Sequence, residues 1–152
     1  MNREQLYKLL NGLEDDGIIC YAYRETVFSI LSDGKCDGTV YLITDASAAA
    51  LSDALMKRNF KEITHNGDGI DAKLAQQNVR IRLIGGDMEK LSKTICQPLT
   101  VCSMMLRADG GVYDELGGMD DLNGKVLRKT AAPIRDKNYF CTLCFELVLK
   151  RG

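Results

Sequence analysis

The sequence predicts one α/β (α+β) domain, a mixed sheet of about five strands with flanking helices. Three observations carry that prediction. The chain has 152 residues, enough for one domain with an ordinary core. Segments with apolar residues at helical spacing alternate with short apolar runs of strand length. A cluster of turn residues, Asn66, Gly67, Asp68 and Gly69, separates two extended stretches as in a tight hairpin.

Leu6, Leu9, Leu10 and Leu13 mark one face of an opening helix that ends at Asp15 and Asp16, with Gly17 as its stop. IICYAY is a short apolar strand. Val27, Phe28, Ile30 and Leu31 then predict a helix ending near Asp33 and Gly34, and Gly34 to Gly38 is a loop. VYLI, from Val40 to Ile43, is a second strand; Thr44 to Ala46 lead into a helix carrying Leu51, Leu55 and Phe60. KEIT opens the hairpin, and in VRIRLI the residues Val79, Ile81 and Leu83 alternate with Arg80 and Arg82, so the arginines share an outer face. PLTVCSMML, from Pro98 to Leu106, is apolar after a helix-compatible proline and predicts a largely buried helix. Asp109 to Gly111 is a turn. A short strand, a Gly-Gly break, a one-turn helix and an extended piece follow, and NYFCTLCFELVLKRG closes the chain as an amphipathic helix.

Composition removes several classes of function. Hydrophobic residues make up 45%, charged residues 27%, and the mean hydropathy is -0.14, which fits neither a disordered nor a membrane-spanning chain. Twenty Lys and Arg against twenty-one Asp and Glu give a net charge of -1, so any site for a polyanion must be local. The opening residues lack the continuous apolar stretch of a signal peptide, and the six cysteines are expected to sit reduced, as small hydrophobes, in the cytoplasm. Cys141 and Cys144 form a CxxC with no second pair at zinc-site spacing, so an apolar helix face is expected and no metal or other cofactor. The glycines of Gly67-Asp68-Gly69 and Gly85-Gly86 lack the strand-to-helix context of a dinucleotide or P-loop fingerprint. His65, the single histidine, is expected as an exposed turn residue, and Met104, Met105 and Met119 as packing.

The segment DGGVYDELGGMDDLNGKVLR resembles a stretch of the CCA-adding tRNA nucleotidyltransferases and bacterial poly(A) polymerases. That stretch reads Asp-Gly-x-hydrophobic-x-Asp-Pro-Phe-Gly-Gly-x-x-Asp-Leu, followed by a basic Val-Leu-Arg tail. Asp114, Gly117, Gly118, Asp121, Leu122 and Arg128 fall in register, while Glu115 and Leu116 stand in place of Pro and Phe. Upstream, Thr44, Asp45, Ala46, Phe60 and Lys61 match the family's Ala-Thr-Asp-Ala strand exit and later Gly-Phe-Lys, and Thr100 and Val101 match its Phe-Thr-Ile-Asn run. The resemblance spans nearly the whole chain and implies the family's head, a polymerase-beta-like nucleotidyltransferase fold, without neck, body and tail.

The same register implies that the reacting centre has changed. Nucleotidyl transfer uses two divalent cations held by carboxylate oxygens. At the positions of the family's Asp-x-Asp pair stand Thr39 and Tyr41, which offer no ionised oxygen near neutral pH. Arg24 and Glu25 replace the Gly-Gly pair whose amides approach the triphosphate, and Phe28 and Ser29 replace the Arg-Asp of the same helix. Gln97, Pro98 and Cys102 stand at the second Arg-Asp and the asparagine, and Arg80 and Arg82 lie on the strand of the third carboxylate. The resemblance therefore implies a catalytically inactive head kept as a binding or regulatory module.

A second reading is an active nucleotidyltransferase whose metal ligands have moved to Asp37, Asp45, Asp68 or Asp71. A third is an RNA binder using Lys125, Arg128, Lys129, Arg135 and Lys137, with Arg80 and Arg82 as further anion contacts. No membrane partner is expected. On the closing helix Phe140, Leu143 and Leu147 are expected either to fold back on the head or to form a protein interface, in a dimer or with another chain.

Overall fold

A computed structural model describes residues 1–85 and 96–151. Gly86, from the Gly-Gly pair, and Gly152 lie outside them. The first helix, α1 (Arg3–Asp15), starts at a reciprocal cap in which Asn2 accepts from the Gln5 amide and the Gln5 side chain accepts from the Asn2 amide. Its four leucines are buried. Strand β1 (Cys20–Tyr23) feeds α2 (Glu25–Asp33), which ends on Gly34 at φ 73°, a left-handed stop that suits glycine. Then come β2 (Val40–Thr44) and α3 (Ala48–Lys57), the latter capped by the Ser47 hydroxyl. The meander β3 (Lys61–Asn66), β4 (Gly69–Leu74) and β5 (Gln77–Leu83) follows, turning at Gly67 and Asp68 as the sequence predicts.

The sheet holds seven strands among the described residues, in the order β3-β4-β5-β2-β1-β6-β7, rather than about five. Only β2 and β5 run parallel; the other pairs are antiparallel. The two at the end beyond β1, β6 (Met105–Leu106) and β7 (Val112–Tyr113), have two residues each, too few to show an alternation.

The buried helix expected from Pro98 to Leu106 is not there. The segment makes one 3-10 turn, Thr100–Cys102, and then passes into β6. Pairing decides this: Ala22 and Tyr23 of β1 take Leu106 and Met105 as ladder partners, while Thr100 N donates to Arg128 O. An apolar run alone does not distinguish these outcomes. After β7 come the short α4 (Gly118–Asn123) and α5 (Lys137–Arg151), whose first turn is capped by Asp136. No helix among the described residues is long and apolar enough to cross a membrane.

The sheet has two unlike faces. Val40, Leu42, Ile70, Val79 and Ile81 join the leucines of α1 and α3 in the main core. On the other face Tyr23, Ile43, Ile84 and Met105 pack together with Tyr21 and Tyr41. A second core, formed by Phe28, Leu99, Val101, Leu122, Leu143 and Leu147, fixes α5 beside the start of α2. Burying one leucine contributes roughly 1.5–3 kcal/mol, so Leu143 and Leu147 hold α5 down. The closing helix has folded back on the head.

Candidate functional site

The tyrosine-bearing face of the sheet, the start of α2 and the start of α5 enclose a cleft of about 750 Å³, with Tyr23, Arg24, Glu25, Arg82, Tyr139 and Phe140 among its walls. Arg24 immediately precedes α2 at φ 58° and ψ -144°, close to a backbone region that glycine enters freely and other residues enter at a cost of about 1–3 kcal/mol. The resemblance puts a glycine here. The backbone thus has the shape expected of that glycine, although an arginine occupies it.

The Arg24 side chain runs along the wall of the cleft. Its guanidinium carbon lies 4.1 Å from the centre of the Tyr41 ring and 6.0 Å from that of Tyr139. Nη2 donates to the Tyr139 hydroxyl at 3.1 Å, and Nε stands 3.5 Å from the Glu25 carboxylate without a hydrogen bond of its own. Burial works against this charge, but Glu25, Tyr139 and Tyr41 outweigh it and push the pKa of Arg24 further above its usual range. The Tyr139 phenol is raised too, by burial and then by the Glu25 carboxylate, with Arg24 pulling the other way. Burial, followed by Glu25, raises the neighbouring Cys102 thiol.

Tyr41 sits in β2 opposite Arg80 of β5, and its ring meets Tyr23 edge-on at 6.5 Å. Tyr41 also borders, with Thr39, Asp71 and Arg80, a shallower hollow of about 710 Å³. A pair of divalent cations does not fit these residues. Thr39 and Tyr41 offer no carboxylate, and the Arg24 guanidinium lies against the Tyr41 ring. Among the described residues, no three His, Cys, Asp or Glu side chains gather as a metal would need.

The four carboxylates of the second reading are placed as follows. Asp68 and Asp71 do converge, but on a guanidinium: Arg80 reaches Asp71 at 3.0 Å and Asp68 at 3.3 Å, and Arg82 reaches Asp68 at 2.9 Å. Asp37 faces Lys35 at 3.6 Å in solvent, and Asp45 is exposed. Arg80 and Arg82 therefore have carboxylate partners in their own hairpin. Arg128 pairs with Asp121, and the Lys129 ammonium donates to Thr130 O and Ala132 O, whereas Lys125 is exposed. His65 is exposed as expected, though on β3 rather than in the turn.

The motif residues form scaffolding around the 3-10 turn, the start of α4 and the end of β2. Thr100 donates to the buried Asp121 at 2.5 Å, and Arg128 reaches the other carboxylate oxygen at 3.2 Å. Asp114 accepts from the amides of Gly118 and Met119 at 2.7 and 2.9 Å, holding the start of α4. Gly117 has φ 77°, and a Cβ on Gly118 would collide with the Thr100 carbonyl. Thr44 ties β2 to Ile19 O at 2.7 Å and accepts from the Ala46 amide. The sequence reading missed the contact between Arg24 and Tyr41. Its signal was an arginine at a glycine position and an aromatic at a ligand position, noted separately.

No family profile and no curated protein sequence matches the chain. Solved structures do. A CCA-adding enzyme in complex with ATP superposes with a TM-score of 0.68 at 18% identity, covering 83% of this chain and 33% of that one. The fold is that of the CCA-adding enzymes. A tRNA nucleotidyltransferase complexed with a primer tRNA and an incoming ATP analogue gives 0.62 at 16% identity, over 76% of this chain and 36% of the other. The CCA-adding enzyme of Bacillus stearothermophilus with CTP gives 0.59 at 16% identity, over 83% and 33%. The chain thus spans about a third of the length of these nucleotidyltransferases, and the likeness is one of fold.

Proposed function

We propose that this nucleotidyltransferase-fold chain transfers no nucleotides and acts as a binding or regulatory module. One observation carries the reading: the Arg24 guanidinium packed on Tyr41, beside Glu25, at the positions where the resemblance puts a metal ligand and the glycine pair. A divalent ion about 5 Å from that guanidinium would be repelled by roughly 7 kcal/mol at an effective dielectric of about 20. Thr39 and Tyr41 supply no anion to offset that repulsion. Glu25 would add a like charge against a triphosphate.

Calorimetry with ATP and with CTP, each with and without magnesium, tests the reading together with nucleotide addition to a tRNA lacking its 3′ end. Neither magnesium-stimulated binding nor incorporation is expected. Either one would overturn the proposal.

A further inference from the structure

Helix α5 carries two apolar stripes. Phe140, Leu143, Cys144 and Leu147, at spacing i, i+3, i+4 and i+7, face the head. Cys141, Phe145, Val148 and Leu149, at i, i+4, i+7 and i+8, form the second stripe. There Phe145 and Leu149 are each 66% exposed and Val148 54%. One stripe suffices to seat a surface helix; a second at helical spacing suits another helix.

The outer stripe continues onto the chain that leaves α4. Val126 and Leu127, both exposed, share with Leu147 and Val148 a notch of about 140 Å³, room for an apolar anchor side chain. An exposed apolar patch continuous over two elements marks an interaction surface.

Charge identifies the occupant. From Asn123 to Lys129 every residue is exposed, with three bases, Lys125, Arg128 and Lys129, against one acid at the notch, the buried Asp121 with which Arg128 pairs. The one acid of α5, Glu146, lies about 160° around the helix from Val148, on the opposite flank. The patch is therefore an apolar floor with a basic border on its Val148 side. A second copy packed antiparallel would set two basic borders side by side, and a parallel one would offer the basic border a single glutamate. Apolar side chains make up the floor, which favours a protein partner over RNA.

We propose that this face docks an acidic amphipathic helix of another protein, with apolar anchors on α5 and in the notch and a carboxylate over Lys125, the base that lines the notch. The proposal rests on reading the chain as a binding module and names the partner's chemistry. The test is fluorescence anisotropy on the full chain with a labelled peptide of about 18 residues, Leu at i, i+3, i+4 and i+7 and Glu on the flanks, against a twin carrying Lys on the flanks. Saturable binding of the Glu peptide is expected, with the Lys twin, Phe145→Glu and Leu149→Glu each weaker by about tenfold. Lys125→Glu should narrow the preference between the peptides. These side chains are exposed, and thermal melts verify that the variants fold.

Absence of saturation, or equal binding of the two peptides, overturns the proposal. So does a dimer in sedimentation equilibrium that Phe145→Glu dissolves, which makes a second copy the occupant. Binding of poly(U) that Lys125→Glu abolishes while Phe145→Glu leaves it intact assigns the face to RNA instead. Nucleotide transfer by the same protein would defeat the proposed function without touching the peptide result, and a silent peptide assay would do the reverse.

Discussion

The Arg24 guanidinium and the Tyr41 ring stand 4.1 Å apart, joining the entrance of α2 to the sheet position where the resemblance places a metal ligand. A cation over an aromatic face contributes about 0.5–2 kcal/mol, more as water is excluded. The left-handed backbone at Arg24 costs about 1–3 kcal/mol. The contact and the strain are of similar size, so the side chain can occupy the cleft at little net cost.

Two substitutions separate those effects. Arg24→Ala and Arg24→Gly both remove the contacts with Tyr41, Glu25 and Tyr139, but only glycine also relieves the backbone. We expect the Gly variant to be more stable than the Ala variant by about 1 kcal/mol in urea unfolding. An Ala variant as stable as the Gly variant would show that Arg24 does not hold the left-handed conformation.

Metal chelation addresses the cleft itself. A group that binds only the folded state raises the melting temperature with its concentration. Neither Thr39 nor Tyr41 can anchor magnesium, so EDTA and 10 mM magnesium should give melting temperatures within about 1 °C of each other. Tyr41→Asp alone should not change this while Arg24 remains, whereas Thr39→Asp with Tyr41→Asp and Arg24→Gly should add a magnesium-dependent shift. A shift in the unmodified protein would contradict the proposed function.

The sequence made the helices and the hairpin legible because their signals are local. Leu6, Leu9, Leu10 and Leu13 repeat with the helical period, and Asn66 to Gly69 have the chemistry of a tight turn. The segment from Pro98 to Leu106 was misread because its fate lies in pairing with Ala22 and Tyr23, more than 75 residues upstream in the chain. The same distance hid the contact of Arg24 with Tyr139, 115 residues away. Periodicity located the inner stripe of α5 through Leu143 and Leu147, but an apolar residue such as Phe145 does not announce which side of the helix will be covered.

The motif residues should report on stability. Asp121 is 6% exposed, with Thr100 on one carboxylate oxygen and Arg128 on the other. Removing one partner of a buried charge leaves it uncompensated, so Arg128→Met should cost roughly 1–2 kcal/mol and Thr100→Val about the same. In an Asp121→Asn background the cost of Arg128→Met should fall below about 0.5 kcal/mol, a coupling read by a double-mutant cycle. Gly118→Ala should cost more than about 2 kcal/mol, since its Cβ meets the Thr100 carbonyl and a backbone atom cannot easily move aside. Additive costs for Arg128→Met and Asp121→Asn would remove the carboxylate from this scaffold.

The cysteines provide a test of the buried face. Cys20 lies on β1 in the main core, and burial pushes its thiol from 9.0 to about 12, with a Thr44 hydrogen bond opposing the rise and Asp45 adding to it. Cys141 is exposed on α5. At pH 8 a disulfide reagent should label Cys141 in the native protein and leave Cys20 untouched until urea opens the core. The same shift sets a sign for stability. The unfolded thiol ionises above pH 9 while the folded one keeps its proton, so the stabilisation is complete below pH 9 and is lost as pH rises toward 12, at up to about 1.4 kcal/mol per unit. Cys20→Ala should therefore lose less stability than the unmodified protein between pH 8 and pH 10.5, measured by urea midpoints. Equal losses would mean that Cys20 is no more protected in the folded chain than in the unfolded one.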